Sequence, residues 1–210
     1  MRKLLIISSA LFISSAFFMS CKVEKPEPFF DFGYRFFPID SGSYSIYSVD
    51  SIAIKDNAID TFNYFLKCQF VSSILNQNGE KIWRLQRSIA SDTLNWKEIE
   101  NHFVKLTNTQ LIVTESNKDF LKISFPIGVG KTWNGNIYNN LPKQNYQILN
   151  LNTEMIIEEQ NDSNFVFEIF KRSIYESELG LVKQYNTFIE KQNGMANGFR
   201  LKYTFLRHQK

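Results

Sequence analysis

Thr61-Phe62-Asn63-Tyr64-Phe65-Leu66-Lys67-Cys68-Gln69-Phe70-Val71-Ser72-Ser73 decides the fold of this chain. Apolar side chains recur at every second position, the period at which successive residues of a strand face opposite ways. Phe62, Tyr64, Leu66, Cys68 and Phe70 share one face; Asn63, Lys67 and Gln69 take the other, with Phe65 the exception. Such aromatic side chains fit a pleated, half-buried surface. Just beyond, Asn76-Gln77-Asn78-Gly79 has turn composition. Residues 80–89 return as the hairpin partner, with Trp83 and Leu85 on one face. The same alternation predicts strands over 43–54, 94–107, 111–115, 120–125, 146–151, 165–173, 181–190 and 199–206. The glycines between Gln192 and Gly198 suit a loop before the last of them. No long stretch carries a helical period. About ten strands favour a barrel or strongly curved sheet over a flat one. The fold class is therefore all-β, with a single antiparallel β domain over 31–210.

The N-terminus reads differently. Met1-Arg2-Lys3 is a short basic start, residues 4–19 are apolar apart from serines, and Ser20-Cys21 closes the segment. A span of a bilayer needs about 20 apolar residues. This stretch is shorter and is interrupted by Ser8, Ser9, Ser14 and Ser15. Charge, apolar run and small residue in that order make residues 1–20 a cleaved secretory signal. Phe18-Met19-Ser20-Cys21 resembles a relaxed lipobox, with Phe18 where Leu is usual. Cys21 is then the lipidation site, and the charged, proline-containing tract within 21–30 is the tether. Stable anchoring takes more than one acyl chain, each buried methylene contributing about 0.8 kcal/mol. The expected location is the cell envelope, lipid-anchored at the outer membrane by analogy with residue-based sorting after the acylated cysteine, where Lys22 stands.

Removing residues 1–20 also removes Arg2 and Lys3 from the 24 basic residues, which leaves the mature chain close to balance against 21 acidic ones. That argues against nucleic-acid binding, which requires a concentrated basic face. With Cys21 acylated, Cys68 stands alone and no internal disulfide forms. Its place on the apolar side of an alternating run makes it a buried, inert thiol.

Phe37-Pro38-Ile39-Asp40-Ser41-Gly42 recurs as Phe125-Pro126-Ile127-Gly128-Val129-Gly130, and an aromatic residue follows each, Tyr44 and Trp133. Proline extends its predecessor and glycine permits a tight turn, so each copy reads as a corner between strands. Convergent corner chemistry and an old duplication of two half-sheets both account for the echo. These two segments, with Leu179-Gly180-Leu181-Val182-Lys183-Gln184-Tyr185 after them, resemble a family of uncharacterised Bacteroidota-type outer-membrane lipoproteins whose domains open on a Phe-Pro-Leu/Ile-x-x-Gly motif. Tyr44 and Tyr47 fill the aromatic positions that follow the motif in that family. The resemblance implies an envelope location and a β fold, and it implies no activity. A looser likeness is to the curved-sheet carriers that shuttle lipoproteins across the periplasm.

Chemistry-bearing motifs are sparse. Gly128-Val129-Gly130-Lys131-Thr132 invites a phosphate-loop reading, but Phe125 occupies the position where that loop needs its first glycine, and no helix follows. His102 and His208 lack metal-ligand spacing, so no metal and no cofactor is expected. Glu98, Glu100, Glu158 and Glu159 offer carboxylates for sugar hydrolysis, though solvated strand faces explain them better. No Gly-x-Ser-x-Gly elbow is present, and no serine is singled out for His102. Trp133-Asn134-Gly135-Asn136 is the best candidate recognition loop: an exposed Trp133 would stack on a sugar while Asn134 and Asn136 bond it. The competing reading is a Trp that plugs the end of the barrel.

The expected function is a non-catalytic, lipid-anchored envelope protein with a structural or ligand-binding role. Its partner is the membrane, through the acyl chains on Cys21, and a glycan, a lipid or another envelope protein besides. Two alternatives stand beside it. A lipid or lipoprotein carrier needs an apolar cavity of several hundred Å3 lined by Phe and Tyr. A glycan binder needs exposed, coplanar aromatics, with Trp133 and Trp96 as the pair. An enzyme would instead bring polar groups with shifted pKa values into one cleft.

Overall fold

Twelve strands form one antiparallel sheet that curls until its two edges nearly meet. The computed structural model describes residues 32–209; Cys21 and the stretches expected to be signal (1–20) and tether (21–30) lie outside the described residues. In chain order the strands are β1 (Tyr44–Lys55), β2 (Ala58–Leu75), β3 (Lys81–Ala90), β4 (Lys97–Leu106), β5 (Gln110–Glu115), β6 (Lys118–Ser124), β7 (Thr132–Asn134), β8 (Asn145–Leu151), β9 (Glu154–Ser163), β10 (Phe167–Glu176), β11 (Gly180–Gln192) and β12 (Met195–Gln209). Among the described residues, the 3-10 turn Tyr34–Phe36 precedes them.

Each strand pairs with its sequence neighbours, except at two joints. The first strand pairs with the last, β1 with β12, over a long ladder from Tyr44↔Gln209 to Ile54↔Gly198. The sheet's edges are therefore β6 and β7. These approach closely enough for the Leu121 amide to donate to the Gly135 carbonyl at 2.9 Å. The Trp133 indole Nε1 donates to the Leu121 carbonyl, also at 2.9 Å. Gly135 permits the approach, since a Cβ there would lie 2.4 Å from the Tyr146 ring.

Short turns set the register. Asp56-Asn57, Ser116-Asn117 and Asn193-Gly194 all carry positive φ at both central positions, the geometry that matches the right-handed twist of a hairpin. The last of these corrects the expected loop from Gln192 to Gly198: β12 already begins at Met195.

Two strands exceed the expected ten. β7 was expected as a turn, because Asn and Gly dominate its neighbourhood. β9 hides behind the polar run Glu158-Glu159-Gln160-Asn161-Asp162, which has loop composition but keeps Met155 and Ile157 buried.

Inside the barrel the apolar side chains form two clusters. The larger is built on Phe36, Leu111, Ile123, Ile148, Met155 and Ile157, with Phe37 and Trp83 packed against it. The 3-10 turn delivers Phe36 and Phe37 into this end, where Phe37 meets the Tyr175 ring at 4.7 Å. The smaller cluster centres on Tyr47, Val49 and Leu66, with Tyr203 and Phe205 beside it.

Candidate functional site

Between the two clusters the inward-facing positions turn polar. Along β3 they run Trp83, Leu85, Arg87, Ile89, so a guanidinium interrupts an apolar series. Arg87 lies opposite Cys68 on one side and Glu100 on the other. Along β5 the series Leu111, Val113 ends in Glu115, and along β9 Met155, Ile157 ends in Glu159. Lys122 joins them from a register shift in β6.

Two ion networks result. In the first, Arg87 Nη1 meets Glu100 Oε1 at 2.5 Å and His102 Nε2 meets Glu100 Oε2 at 3.3 Å. Arg87 Nη2 donates to the Tyr203 hydroxyl at 3.4 Å. In the second, Lys122 Nζ sits 3.2 Å from Glu115 Oε1 and 3.9 Å from Glu159 Oε2. Ser173 Oγ donates to Glu159 Oε1 at 2.6 Å, and Gln184 Nε2 donates to Ser173 Oγ at 3.4 Å.

The ionisation states follow. Burial opposes a charge on Lys122, but Glu159 and Glu115 together hold its pKa well above the usual lysine range. Burial alone would raise Glu115; Lys122 and His102 outweigh it and keep its carboxyl below the ordinary value. Burial lowers His102, and the carboxylates of Glu115 and Glu100 only partly offset that. The neutral ring then carries its hydrogen on Nε2, because a carboxylate can only accept. Enclosure pushes the Cys68 thiol up, so it stays protonated and is a poor nucleophile.

These walls surround a cavity of about 320 Å3. Leu66, Phe70, Val104 and Leu181 supply apolar wall; Arg87, His102, Glu115, Lys122, Glu159 and Lys171 supply ionisable wall. Among the described residues no cluster of His, Cys, Asp and Glu has the makings of a metal site.

The expected site residues fall elsewhere. Trp133 is 9% exposed, its indole spent on Leu121 and its ring edge against Tyr146 at 6.0 Å. Asn134 Oδ1 accepts from the Asn136 and Gln144 amides, and Asn136 Nδ2 donates to the Pro142 carbonyl. The three build the corner that shuts the β6–β7 seam, and Trp133 presents no face to a sugar. Of the other indoles, Trp96 has the Lys67 ammonium 5.3 Å over its ring, and Trp83 has that of Lys81 at 4.0 Å. Glu159 also departs from expectation: it is 6% exposed, held inward by Ser173 and Lys122 rather than solvated. His102 is buried as well, in company with Glu100.

Sequence reading passed over Arg87, Glu115 and Lys122. The signal for the first two was present, as a charge standing in phase with the apolar face of a strand. Lys122 gave none, because the register shift in β6 changes its phase. Compared with family models, with curated proteins and with solved structures, the chain matches none.

Proposed function

We propose that this chain is a lipid-anchored cell-envelope protein, fixed at the outer membrane through acyl chains on Cys21, whose barrel is a non-catalytic receptacle for a small ligand. The observation that carries the reading is the cavity of about 320 Å3 whose lining mixes apolar and ionisable side chains. Ligand pockets combine these features: apolar area for affinity and a few placed polar groups for orientation. Ion pairs of this kind seldom stabilise a fold more than packed hydrocarbon would, so their position around a cavity favours a binding role. The size matches what a carrier needs, but the wall is more polar than a purely apolar cargo would select. The glycan reading lacks the exposed indole pair it requires among the described residues.

A second reading rests on one feature. His102 and Glu115 line the cavity, with Glu100 paired to the His102 ring, as acid–base groups in an enzyme would be.

Native mass spectrometry of protein purified from its own envelope tests these readings together. A copurifying small molecule, returned chemically unchanged after prolonged incubation, is the expected result. A chemically altered product favours acid–base chemistry, and an empty barrel overturns the binding role. Cys21→Ser tests the anchor: the variant should move from the detergent-extracted membrane fraction to the soluble one, and an uncut, unmodified N-terminus in the parent would refute the anchor.

A further inference from the structure

At one end of the barrel the inner face of the sheet continues past the cavity. From the cavity-lining Tyr203, β12 places Leu201 and then Phe199 on the same face. Phe199 lies opposite Phe188 of β11, their rings 6.3 Å apart, and Leu201 lies opposite Asn186. Across β1, Ser51 pairs with Leu201 and with Phe62 of β2. Phe62 is 55% exposed and Phe188 40%. The result is an uncovered aromatic apron leading into a partly polar hole.

Where apron and cavity meet stands Lys171 of β10, directly opposite Asn186. Both line the cavity. The two other cations of the wall are neutralised, Arg87 by Glu100 and Lys122 by Glu115 and Glu159. Lys171 has no ion pair among the described residues. The Asn186 side-chain oxygen is buried without a hydrogen-bond partner. Rotating that amide would present its Nδ2 as a donor beside the ammonium.

Resting on the ligand-binding reading, we infer that the ligand is a monomeric amphiphile with an anionic headgroup, its head held by Lys171 and Asn186 and its hydrocarbon laid along Phe62, Phe188, Phe199 and Leu201. Charge complementarity selects the head: one uncompensated ammonium with an amide beside it suits a carboxylate or phosphate, through charge-assisted hydrogen bonds. Exposed aromatic area continuous with the cavity selects the tail, since a soluble monomer rarely leaves such a patch without a use.

Isothermal titration calorimetry with dodecanoate and with dodecan-1-ol tests this, the two probes differing only in the head. The parent protein should bind the acid about tenfold more tightly, the scale of one good charged contact. Lys171→Gln should abolish the preference and leave the alcohol's affinity unchanged, and Lys171→Arg should keep it. Phe188→Ser should weaken both probes. Both side chains are partly exposed, so folding should survive, and the acid–alcohol comparison in the parent requires no variant at all. Equal affinities in the parent, or a preference that outlives Lys171→Gln, would overturn the inference. So would sedimentation with phosphatidylglycerol vesicles in a protein that ignores both monomeric probes. A native ligand that dodecanoate does not displace would refute this headgroup while leaving the binding role intact; an empty barrel that takes neither probe would end both.

Discussion

Lys122 is the residue on which the interior charge balance turns. Its ammonium serves two carboxylates, Glu115 and Glu159, that would otherwise repel each other in an enclosed space. Removing one partner of a buried ion pair typically costs about 3–5 kcal/mol, because it strands the other charges. Lys122→Met should lower stability on that scale in urea denaturation. Adding Glu115→Gln and Glu159→Gln to it should recover much of the loss. The same groups set a pH dependence. His102 has a depressed folded-state pKa, so the unfolded chain takes up its proton first as pH falls. Its contribution is complete above the unfolded histidine value, about 6.5. It is lost as the pH drops from there toward the folded value. Glu115, also depressed, adds a further loss at lower pH, below the ordinary carboxylate range. Urea midpoints should therefore fall from pH 7.5 to pH 5, and His102→Gln should flatten that segment of the curve. None of this was legible while the side chains were taken one at a time. Glu159 looks solvated beside Glu158 until β9 is known to exist, and His102 looks solitary until β3 and β5 bring Arg87 and Glu115 to either side of it.

The informative element is β7, three residues long. Period-two alternation made β1 through β6 readable, because each runs long enough to show its phase. Thr132–Asn134 is too short for a phase, and its asparagine and glycine neighbours imitate a turn. What makes it a strand is tertiary: pairing to β8 and the indole bridge to Leu121. Trp133 is thus buried, and its place is the seam between β6 and β7, where ladder pairing fails, rather than the barrel end that the competing reading gave it. Trp133→Phe keeps most of the ring and loses the bridge, at a cost of about 1–2 kcal/mol. Trp133→Ala opens a cavity as well and should cost about 3–5 kcal/mol. Hydrogen exchange provides the sharper readout. The Leu121 amide should exchange faster in both variants, while amides of the β1–β12 ladder hold their protection.

Across the whole molecule, the longest-range pairing joins the two ends of the chain. β1 cannot complete its hydrogen bonds on one side until β12 has been made. Contacts so distant in sequence slow folding and leave unpaired edges exposed meanwhile. A chain truncated after Phe188 should stay protease-sensitive, although it retains ten complete strands and most of an eleventh.

The repeated Phe-Pro-Ile-x-x-Gly segments also show their meaning at this scale. Gly42 and Gly130 both have left-handed φ, 86° and 80°. Gly42 donates to Phe70 and Gly130 to Ile148, at 2.7 and 2.8 Å. The next carbonyls, of Ser43 and Lys131, accept from those same two residues at 3.0 Å each. Ser43 closes its turn on Asp40 as Lys131 does on Gly128. The copies differ at the Phe–Pro bond, which is cis only at Phe125–Pro126. One copy leads into β1 and the other into β7, six strands apart. The hoop thus repeats one piece of carpentry at two corners, although the strands they start differ, twelve residues in β1 and three in β7. A side chain forced onto Gly42 or Gly130 should therefore spring only its own clasp and leave the other fastened.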